Sequence, residues 1–168
     1  AAVEDPNPVL FLEHKKTYRL VTQEIDGAAA ETTIGKSRIR RHGSDLTIYA
    51  YGFMLHESLA AAESLAHEGI EATVVDLLSL QPLDRQTILE AARTTGKVLI
   101  VHEDTLTGGF GAEIAATIAE GAFDHLDAPI RRLAGPDVPA MPFQHEMEAF
   151  FMPNQHRIAA AARELAAY

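Results

Sequence analysis

Histidine followed by glutamate occurs four times in this sequence, and such a pair can supply a metal ligand beside a general base. The four pairs begin at His56, His67, His102 and His145. A zinc-peptidase helix needs a second histidine three residues after the glutamate, so that both imidazoles lie on one helical face. Those positions hold Ala60, Glu71, Leu106 and Ala149. The spacing therefore excludes this kind of zinc site at all four pairs.

The pair His102-Glu103 differs from the others because it ends an almost wholly apolar run, residues 97–102. Such a run is typical of a central strand that is buried on both faces. In open α/β sheets, ligand crevices lie beyond the carboxyl ends of the strands. A ligand-contacting pair and a satisfied polar pair at a strand end or subunit contact both remain open. We favour the polar pair, because position in a fold does not establish function.

A glycine-rich segment, residues 107–113, follows this run and opens a predicted helix. Free N–H groups and the helix dipole at such a point favour an anion. The segment fails as a dinucleotide fingerprint because Ile114 stands where a third glycine or alanine is needed. We interpret it as a tight strand-to-helix turn. No Gly-x-Ser-x-Gly motif and no cysteine occur, so serine-triad and thiolate chemistry lack support.

The bulk properties indicate an ordinary globular protein and argue against two classes of partner. The 168 residues include 47% hydrophobic and 23% charged residues, with a formal net charge of -10. An acidic surface repels phosphate backbones, so nucleic acid is not an expected partner. No apolar run approaches the roughly 20 residues that cross a bilayer, and the N-terminus lacks the pattern of a signal peptide. A membrane association is not expected either.

Apolar runs alternate with helical patterns along most of the chain. Strands are predicted over residues 9–12, 45–52, 70–78, 97–102 and 130–133, with an edge strand over 38–42. Helices are predicted over 55–67, 84–95 and 110–126, with a last helix beginning near Pro153. Asp84 can cap one helix, and Gly96 can end it. This alternation predicts one α/β domain over residues 35–168, a mostly parallel sheet with helices on both faces. Residues 13–34 are interpreted as a connector.

A cluster of aromatic and thioether side chains occupies a predicted loop near the C-terminus. Its members are Met141, Phe143, Met147, Phe150, Phe151 and Met152. So much apolar surface must be covered by something. Intramolecular core and oligomer interface both remain open as explanations.

Several stretches, taken together, resemble one family in their order and spacing. They are residues 8–20 (PVLFLEHKKTYRL), 35–36 leading into 46–52 (LTIYAYG), 75–84, 108–113 and 126–142 (LDAPIRRLAGPDVPAMP). The chain resembles the β subunit of the decarboxylating component of 2-oxo acid dehydrogenases, whose C-terminal part has the transketolase C-terminal domain fold. Residues 11–19 look more like the branched-chain (2-oxoisovalerate) type than the pyruvate or acetoin types.

The resemblance implies a parent enzyme that oxidatively decarboxylates branched 2-oxo acids and transfers the acyl group to lipoyl groups. That parent uses thiamine diphosphate and Mg²⁺ in an α2β2 assembly, in the bacterial cytoplasm or, in a eukaryote, the mitochondrial matrix. Residues 1–34 would be the tail of its pyrimidine-binding domain plus a linker, and the chain a fragment used in assembly. No catalytic or thiamine-binding residue carries over. The rival hypothesis is a free-standing α/β module that binds a small anion at Gly108–Gly111.

Two sets of site residues follow from the resemblance. Ala2, Val3, Asp5 and Asn7 match a structural K⁺ site of pyruvate-type relatives, and a hard cation does prefer oxygen ligands. The alternative for residues 5–8 is ordinary turn chemistry. Asp127 matches an acidic contact to the subunit-binding domain of the acyltransferase core, and the terminal carboxylate of Tyr168 is placed for another. The alternative for Asp127 is a turn residue beside Pro129.

Overall fold

The computed structural model describes residues 1–22, 24 and 33–168. The strands are β1 (Arg38–Arg41), β2 (Leu46–Ala50), β3 (Ala72–Asp76), β4 (Val98–Thr105) and β5 (Arg131–Gly135). The helices are α1 (Thr17–Leu20), α2 (Phe53–Ala66), α3 (Arg85–Thr95), α4 (Gly111–Ala122), α5 (His145–Phe151) and α6 (Gln155–Ala166), with a 3-10 turn at Phe123–His125. Part of the predicted connector, residues 23 and 25–32, lies outside the described residues. Among the described helices, none is both long and apolar enough to cross a membrane.

The five strands form one sheet in the order β1-β3-β2-β4-β5. Strand β1 pairs antiparallel with β3, whereas the other neighbours pair in parallel. The predicted mostly parallel sheet and its charged edge strand are confirmed. Three arginines on β1 suit an exposed edge, because charge there opposes pairing with another chain. The middle position belongs to β2, while β4 lies between β2 and β5.

Helices cover both faces of the sheet, as predicted. Helices α2 and α6 pack together on one face, and α3 and α4 pack together on the other. Successive strand residues point to opposite faces, so Ile48 and Leu99 join the α2–α6 core while Tyr49 and Ile100 join the α3–α4 core. The first five residues of β4 are fully buried. The buried part of β4 therefore holds His102 and Glu103, near its carboxyl end, in fixed positions.

The boundaries of α3 follow from local chemistry that the sequence shows. A side-chain oxygen of Asp84 accepts a hydrogen bond from the N–H of Thr87 at 3.2 Å, which satisfies a free donor of the first turn. Gly96 adopts the left-handed conformation at φ +66° and ends the helix. Asp84 also accepts the N–H of Ser37 at 2.9 Å. This second bond fixes the segment that leads into β1.

Residues 9–12 do not form the buried strand that the apolar run predicts. They lie outside every helix and strand, and Leu10 and Phe11 are 92% and 73% exposed. A strand satisfies its backbone groups by pairing with a neighbouring strand. The described part of the chain pairs no strand with this segment, so the apolar sequence alone does not fold it.

Helix α5 is absent from the sequence-based prediction, which placed the Met and Phe cluster in a loop. Its first turn is capped by the side chain of Gln144, which accepts the N–H of Met147 at 2.8 Å. The helix divides the cluster. Phe151 and Met152 are buried in the α2–α6 core, whereas Met141, Phe143, Met147 and Phe150 remain exposed. Intramolecular core therefore accounts for Phe151 and Met152. An oligomer interface stays a prediction for the four exposed residues.

Candidate functional site

The parallel strands end together at one edge of the sheet, which we call the carboxyl edge. This edge gathers Tyr51 after β2, Asp76 at the end of β3, and His102 with Glu103 near the end of β4. Because strand residues alternate, His102 and Glu103 point to opposite faces. The pair that stands together in the sequence therefore belongs to two separate clusters.

His102 lies beneath the glycine-rich turn on the α3–α4 face. A β-carbon at Gly109 would lie 2.6 Å from Cε1 of His102, and one at Gly111 would lie 2.5 Å from its Cδ2. The two glycines thus provide the space that the imidazole fills. Gly108 adopts a positive φ of 78°, which supports the interpretation of this segment as a tight strand-to-helix turn.

The imidazole of His102 is fully buried, and among the described residues neither ring nitrogen has a hydrogen bond of normal geometry. His102 and Glu103 lie on opposite faces of the sheet and do not pair with each other, so the alternative of a subunit contact stays a prediction. Burial lowers the pKa of His102, because the charged ring is poorly solvated there, and the nearby carboxylate of Asp104 acts in the opposite direction. The ring is consequently a neutral group held by packing.

Aromatic rings complete the surroundings of His102. Tyr51 stacks on it with ring centroids 6.2 Å apart and 5° between the planes, and Phe110 meets Tyr51 edge-on at 6.5 Å. Burial, followed by the charges of Asp104 and Glu103, raises the pKa of Tyr51 to about 12. Tyr51 therefore stays protonated at neutral pH. Neutral, buried groups of this kind pack a strand end and offer no charged reactant.

An open cleft of about 680 Å³ lies beside the glycine turn. It is lined by Leu80, Gln81, Pro82, Leu83, Arg85, Gly108, Gly109, Phe110, Ala112 and Glu113. Arg85 contacts Thr117 at 3.3 Å and Glu120 at 3.6 Å, so its charge is already compensated. Glu113 adds a negative charge to the cleft wall. This electrostatic balance does not favour an anion.

The α2–α6 side of the carboxyl edge holds a histidine–carboxylate contact. Nε2 of His14 lies 3.0 Å from Oε2 of Glu103. The ring of His14 stacks on the ring of Phe53, with centroids 5.4 Å apart. Nζ of Lys16 lies 4.6 Å from the centroid of the Phe53 ring. These contacts attach the N-terminal segment to the end of β4.

Asp76 anchors the edge strand at the same end of the sheet. Its buried carboxylate lies 3.3 Å from Nη1 of Arg40. Burial raises the pKa of Asp76, and the positive charge of Arg40 opposes that shift. The pair has the geometry of a structural contact between β1 and β3.

The four residues predicted to bind K⁺ lie in a turn at the N-terminus. Oδ1 of Asp5 accepts hydrogen bonds from the backbone N–H of Asn7 at 2.9 Å and from its side-chain amide at 3.0 Å. These bonds lower the pKa of Asp5. Val3 is 98% exposed. Within residues 1–22, 24 and 33–168, no three histidine or carboxylate side chains converge as metal ligands do.

The two predicted partner contacts lie at the opposite end of the sheet, which we call the amino edge. The N–H of Asp127 donates to the carbonyl of Gly96 at 2.8 Å. The next residue, Lys97, donates from Nζ to the carbonyl of Ala166 at 2.8 Å. Asp127 and the C-terminal end of α6 are thus hydrogen-bonded to two adjacent residues, Gly96 and Lys97, and both Asp127 and Tyr168 are exposed.

His14, Tyr51 and Phe53 are absent from the sequence-based candidates. Tyr51 and Phe53 lie at the carboxyl edge because they follow β2, and His14 lies there because it contacts Glu103 of β4. The sequence gives an indirect signal for Tyr51, because this residue directly follows the buried strand β2 and so lies at its carboxyl end. The pairing of His14 with Glu103 has no such signal.

A family model and curated relatives match this chain. Residues 35–158 match the model described as "Transketolase, C-terminal domain". The 2-oxoisovalerate dehydrogenase subunit beta of Bacillus subtilis is 51% identical over the whole chain, which covers 51% of that relative. The pyruvate dehydrogenase E1 component subunit beta of the same organism is 39% identical over 98% of the chain, which covers 50% of it.

Further comparisons extend this likeness. The acetoin:2,6-dichlorophenolindophenol oxidoreductase subunit beta of Cupriavidus necator is 41% identical over 97% of the chain and 48% of the relative. A solved structure of a split gene transketolase, described as an inactive beta4 tetramer, has a TM-score of 0.71 at 28% identity. The match covers 86% of this chain and 46% of that one. The chain thus spans about half the length of the curated relatives it matches.

Proposed function

We propose that this chain, which belongs to the transketolase C-terminal domain family, supplies the C-terminal domain of the β subunit of a 2-oxo acid dehydrogenase of the branched-chain type. The observation that carries the proposal is the 51% identity with a 2-oxoisovalerate dehydrogenase β subunit over the whole chain. The pyruvate and acetoin relatives described above are 39% and 41% identical. Assays of the complete enzyme with 2-oxoisovalerate and pyruvate test this choice, and a preference for pyruvate would reverse it.

In the proposed parent enzyme, thiamine diphosphate with Mg²⁺ supplies the carbanion chemistry of oxidative decarboxylation. On the family resemblance, we propose that no residue of this chain contacts the cofactor. We therefore assign no reaction step to this chain. Its proposed role is structural: it contacts the α subunit and a second β subunit, and it binds the acyltransferase core.

The proposed docking partner is the subunit-binding domain of the acyltransferase core, and the contacts are Asp127 and the terminal carboxylate of Tyr168. Support comes from the exposure of Asp127 and Tyr168 and from the adjacent residues Gly96 and Lys97, to which Asp127 and Ala166 are hydrogen-bonded. Acidic groups at an interface steer a basic partner and increase its association rate. The net charge of -10 favours the same kind of partner.

Calorimetric titration of the complete α2β2 enzyme with a recombinant subunit-binding domain tests the docking proposal. Asp127→Ala should weaken binding by about five- to a hundredfold, the range expected when one charge of an interfacial pair is lost. Asp104→Ala is the matched control, because Asp104 is exposed at the opposite edge. Equal affinity of both variants would exclude Asp127 from the interface. Tight binding of a phosphate ester would instead support the rival anion-binding module.

We also propose that Ala2, Val3, Asp5 and Asn7 hold K⁺ in the assembled enzyme. The donor chemistry fits, since a carboxylate and carbonyls suit a hard cation. The hydrogen bonds from Asn7 occupy only Oδ1 of Asp5. Thermal unfolding of the complete enzyme in KCl and in choline chloride tests the site. Stabilisation by K⁺ that Asp5→Ala abolishes would support it, and equal unfolding temperatures would refute it.

The remaining parts of the proposal concern assembly and compartment. Exposed Met141, Phe143, Met147 and Phe150 offer apolar surface for a subunit contact. The relatives include bacterial proteins and plant proteins named as mitochondrial. We place the enzyme in the bacterial cytoplasm, or in the mitochondrial matrix if its source is a eukaryote.

A further inference from the structure

One exposed aromatic residue at the amino edge has no role in the fold. Phe123 is 71% exposed at the start of the 3-10 turn, although α4 just before it contributes three residues to the buried core of that face, Ile114, Ile118 and Ala122. The N–H of Leu126 donates to the carbonyl of Phe123 at 3.1 Å and closes the turn. The ring therefore stands a single turn before Asp127, on the surface to which docking is assigned.

We infer that Phe123 is a specificity-determining contact of the docking surface, where its ring face receives an arginine of the basic partner. The inference rests on the proposed docking function. A guanidinium is planar and weakly hydrated, so it can stack on an aromatic face while it pairs with a carboxylate. An ammonium lacks the planar fork that makes both contacts at once. Phe123 and Asp127 together thus select arginine over lysine.

The charges at this edge agree with a cationic occupant. Asp124, Asp127 and Tyr168 are exposed, whereas the neighbouring Glu120 lies 3.6 Å from Arg85 and forms an ion pair with it. Two further cations nearby point to backbone carbonyls. Nη2 of Arg93 lies 2.5 Å from the carbonyl of Gly121, and Nζ of Lys97 lies 2.8 Å from that of Ala166. The surface therefore combines the exposed carboxylates of Asp124 and Asp127 with the exposed ring of Phe123.

The test compares Phe123→Leu with Phe123→Tyr in the complete α2β2 enzyme, titrated with the recombinant subunit-binding domain. Leucine keeps an apolar side chain but removes the aromatic face, whereas tyrosine retains it. Phe123→Leu should weaken binding about two- to fivefold, the effect of one exposed cation–π contact, and Phe123→Tyr should bind as the original does. The salt dependence should stay unchanged in Phe123→Leu and decrease in Asp127→Asn, since only the latter removes a charge.

A second arm replaces the partner's surface arginines by lysine, one at a time. At the arginine that stacks on the ring, the weakening caused by Phe123→Leu should disappear, which a double-mutant cycle measures. Equal affinities of the Phe123→Leu enzyme and the original would overturn this inference while the docking proposal stands. Failure of the original enzyme to bind the domain at all would instead refute the docking proposal itself.

Discussion

Nε2 of His14 and Oε2 of Glu103 lie 3.0 Å apart and join residues that are 89 positions apart in the chain. A hydrogen bond between these atoms needs a proton on one of them, and an ionised carboxylate can only accept it. The contact is half-exposed, at 30% and 27% for the two side chains. It ties the segment that carries the exposed apolar residues 9–12 to the end of β4, whose first five residues are buried.

Loss of the His14–Glu103 contact should loosen the N-terminal segment. In Glu103→Ala, trypsin should cleave after Lys15 and Lys16 about two- to fivefold faster, because a partly exposed pair contributes only about 0.5–1 kcal/mol. Mass spectrometry of timed digests measures the rate. Asp104→Ala is the control, since it removes an exposed carboxylate one residue away. Unchanged cleavage in Glu103→Ala would show that other contacts hold the segment.

The space under the glycine turn predicts a contrast between two glycines of α4. Gly111→Ala should destabilise the fold by about 1–3 kcal/mol, because the added carbon meets the buried ring of His102. Gly121→Ala should be neutral or stabilise by up to about 1 kcal/mol, since it meets only the flexible end of Leu89 and gains helix propensity. Urea unfolding measures both. Equal effects would mean that the imidazole moves aside.

The buried imidazole of His102 predicts a pH dependence of stability. Its folded pKa is lowered below the value of about 6.5 expected for the unfolded chain. The unfolded chain therefore binds the proton first as pH falls. This residue's contribution is fully present above about pH 6.5 and is lost as pH falls toward the folded pKa.

In His102→Leu, the free energy of unfolding should consequently fall less between pH 8 and pH 5 than in the original chain. The measurement is urea unfolding at a series of pH values. His125→Gln, which changes an exposed histidine, should keep the original profile. Parallel profiles for His102→Leu and the original chain would contradict a neutral, buried ring.

The buried Asp76 carboxylate predicts unequal effects for two arginine–carboxylate pairs. Arg40→Ala should cost about 1–3 kcal/mol, because it removes the hydrogen-bonded partner of a buried acceptor. Arg131→Ala should cost less than about 1 kcal/mol, since Arg131 and Glu164 form an exposed pair at 2.6 Å. Denaturant midpoints provide the comparison. A smaller loss for Arg40→Ala than for Arg131→Ala would reverse this ranking.

The sequence predicts the parallel sheet well, because its signals are local. Buried strands read as apolar runs, Asp84 caps its helix, and Gly96 ends it. The edge position of β1 follows from its arginines. Helix α5 was missed because seven residues show too little periodicity, and Gln144 is not among the usual capping residues. Residues 9–12 were mispredicted because a strand depends on a partner, which the local sequence does not reveal.

The candidate site was less predictable than the fold. Strand alternation separates His102 from Glu103, and this follows from the period of two once the strand is known. The neighbours of each side chain depend on strand order, so Tyr51 and His14 could not be assigned. Asp127 and Tyr168 entered through family resemblance, and the hydrogen bonds of Asp127 with Gly96 and of Ala166 with Lys97 could not be read from the sequence.

The glycine turn and the imidazole beneath it have a consequence for evolution. Gly109 and Gly111 are packed against His102, so substitutions at these three positions are not independent. A lineage that replaces His102 by a smaller residue is released to accept alanine at Gly111. Gly109 stays constrained in either case, because a β-carbon there would also meet the backbone carbonyl of Thr105. Among relatives, positions 102 and 111 should therefore covary, whereas position 109 should remain glycine whichever residue stands at 102.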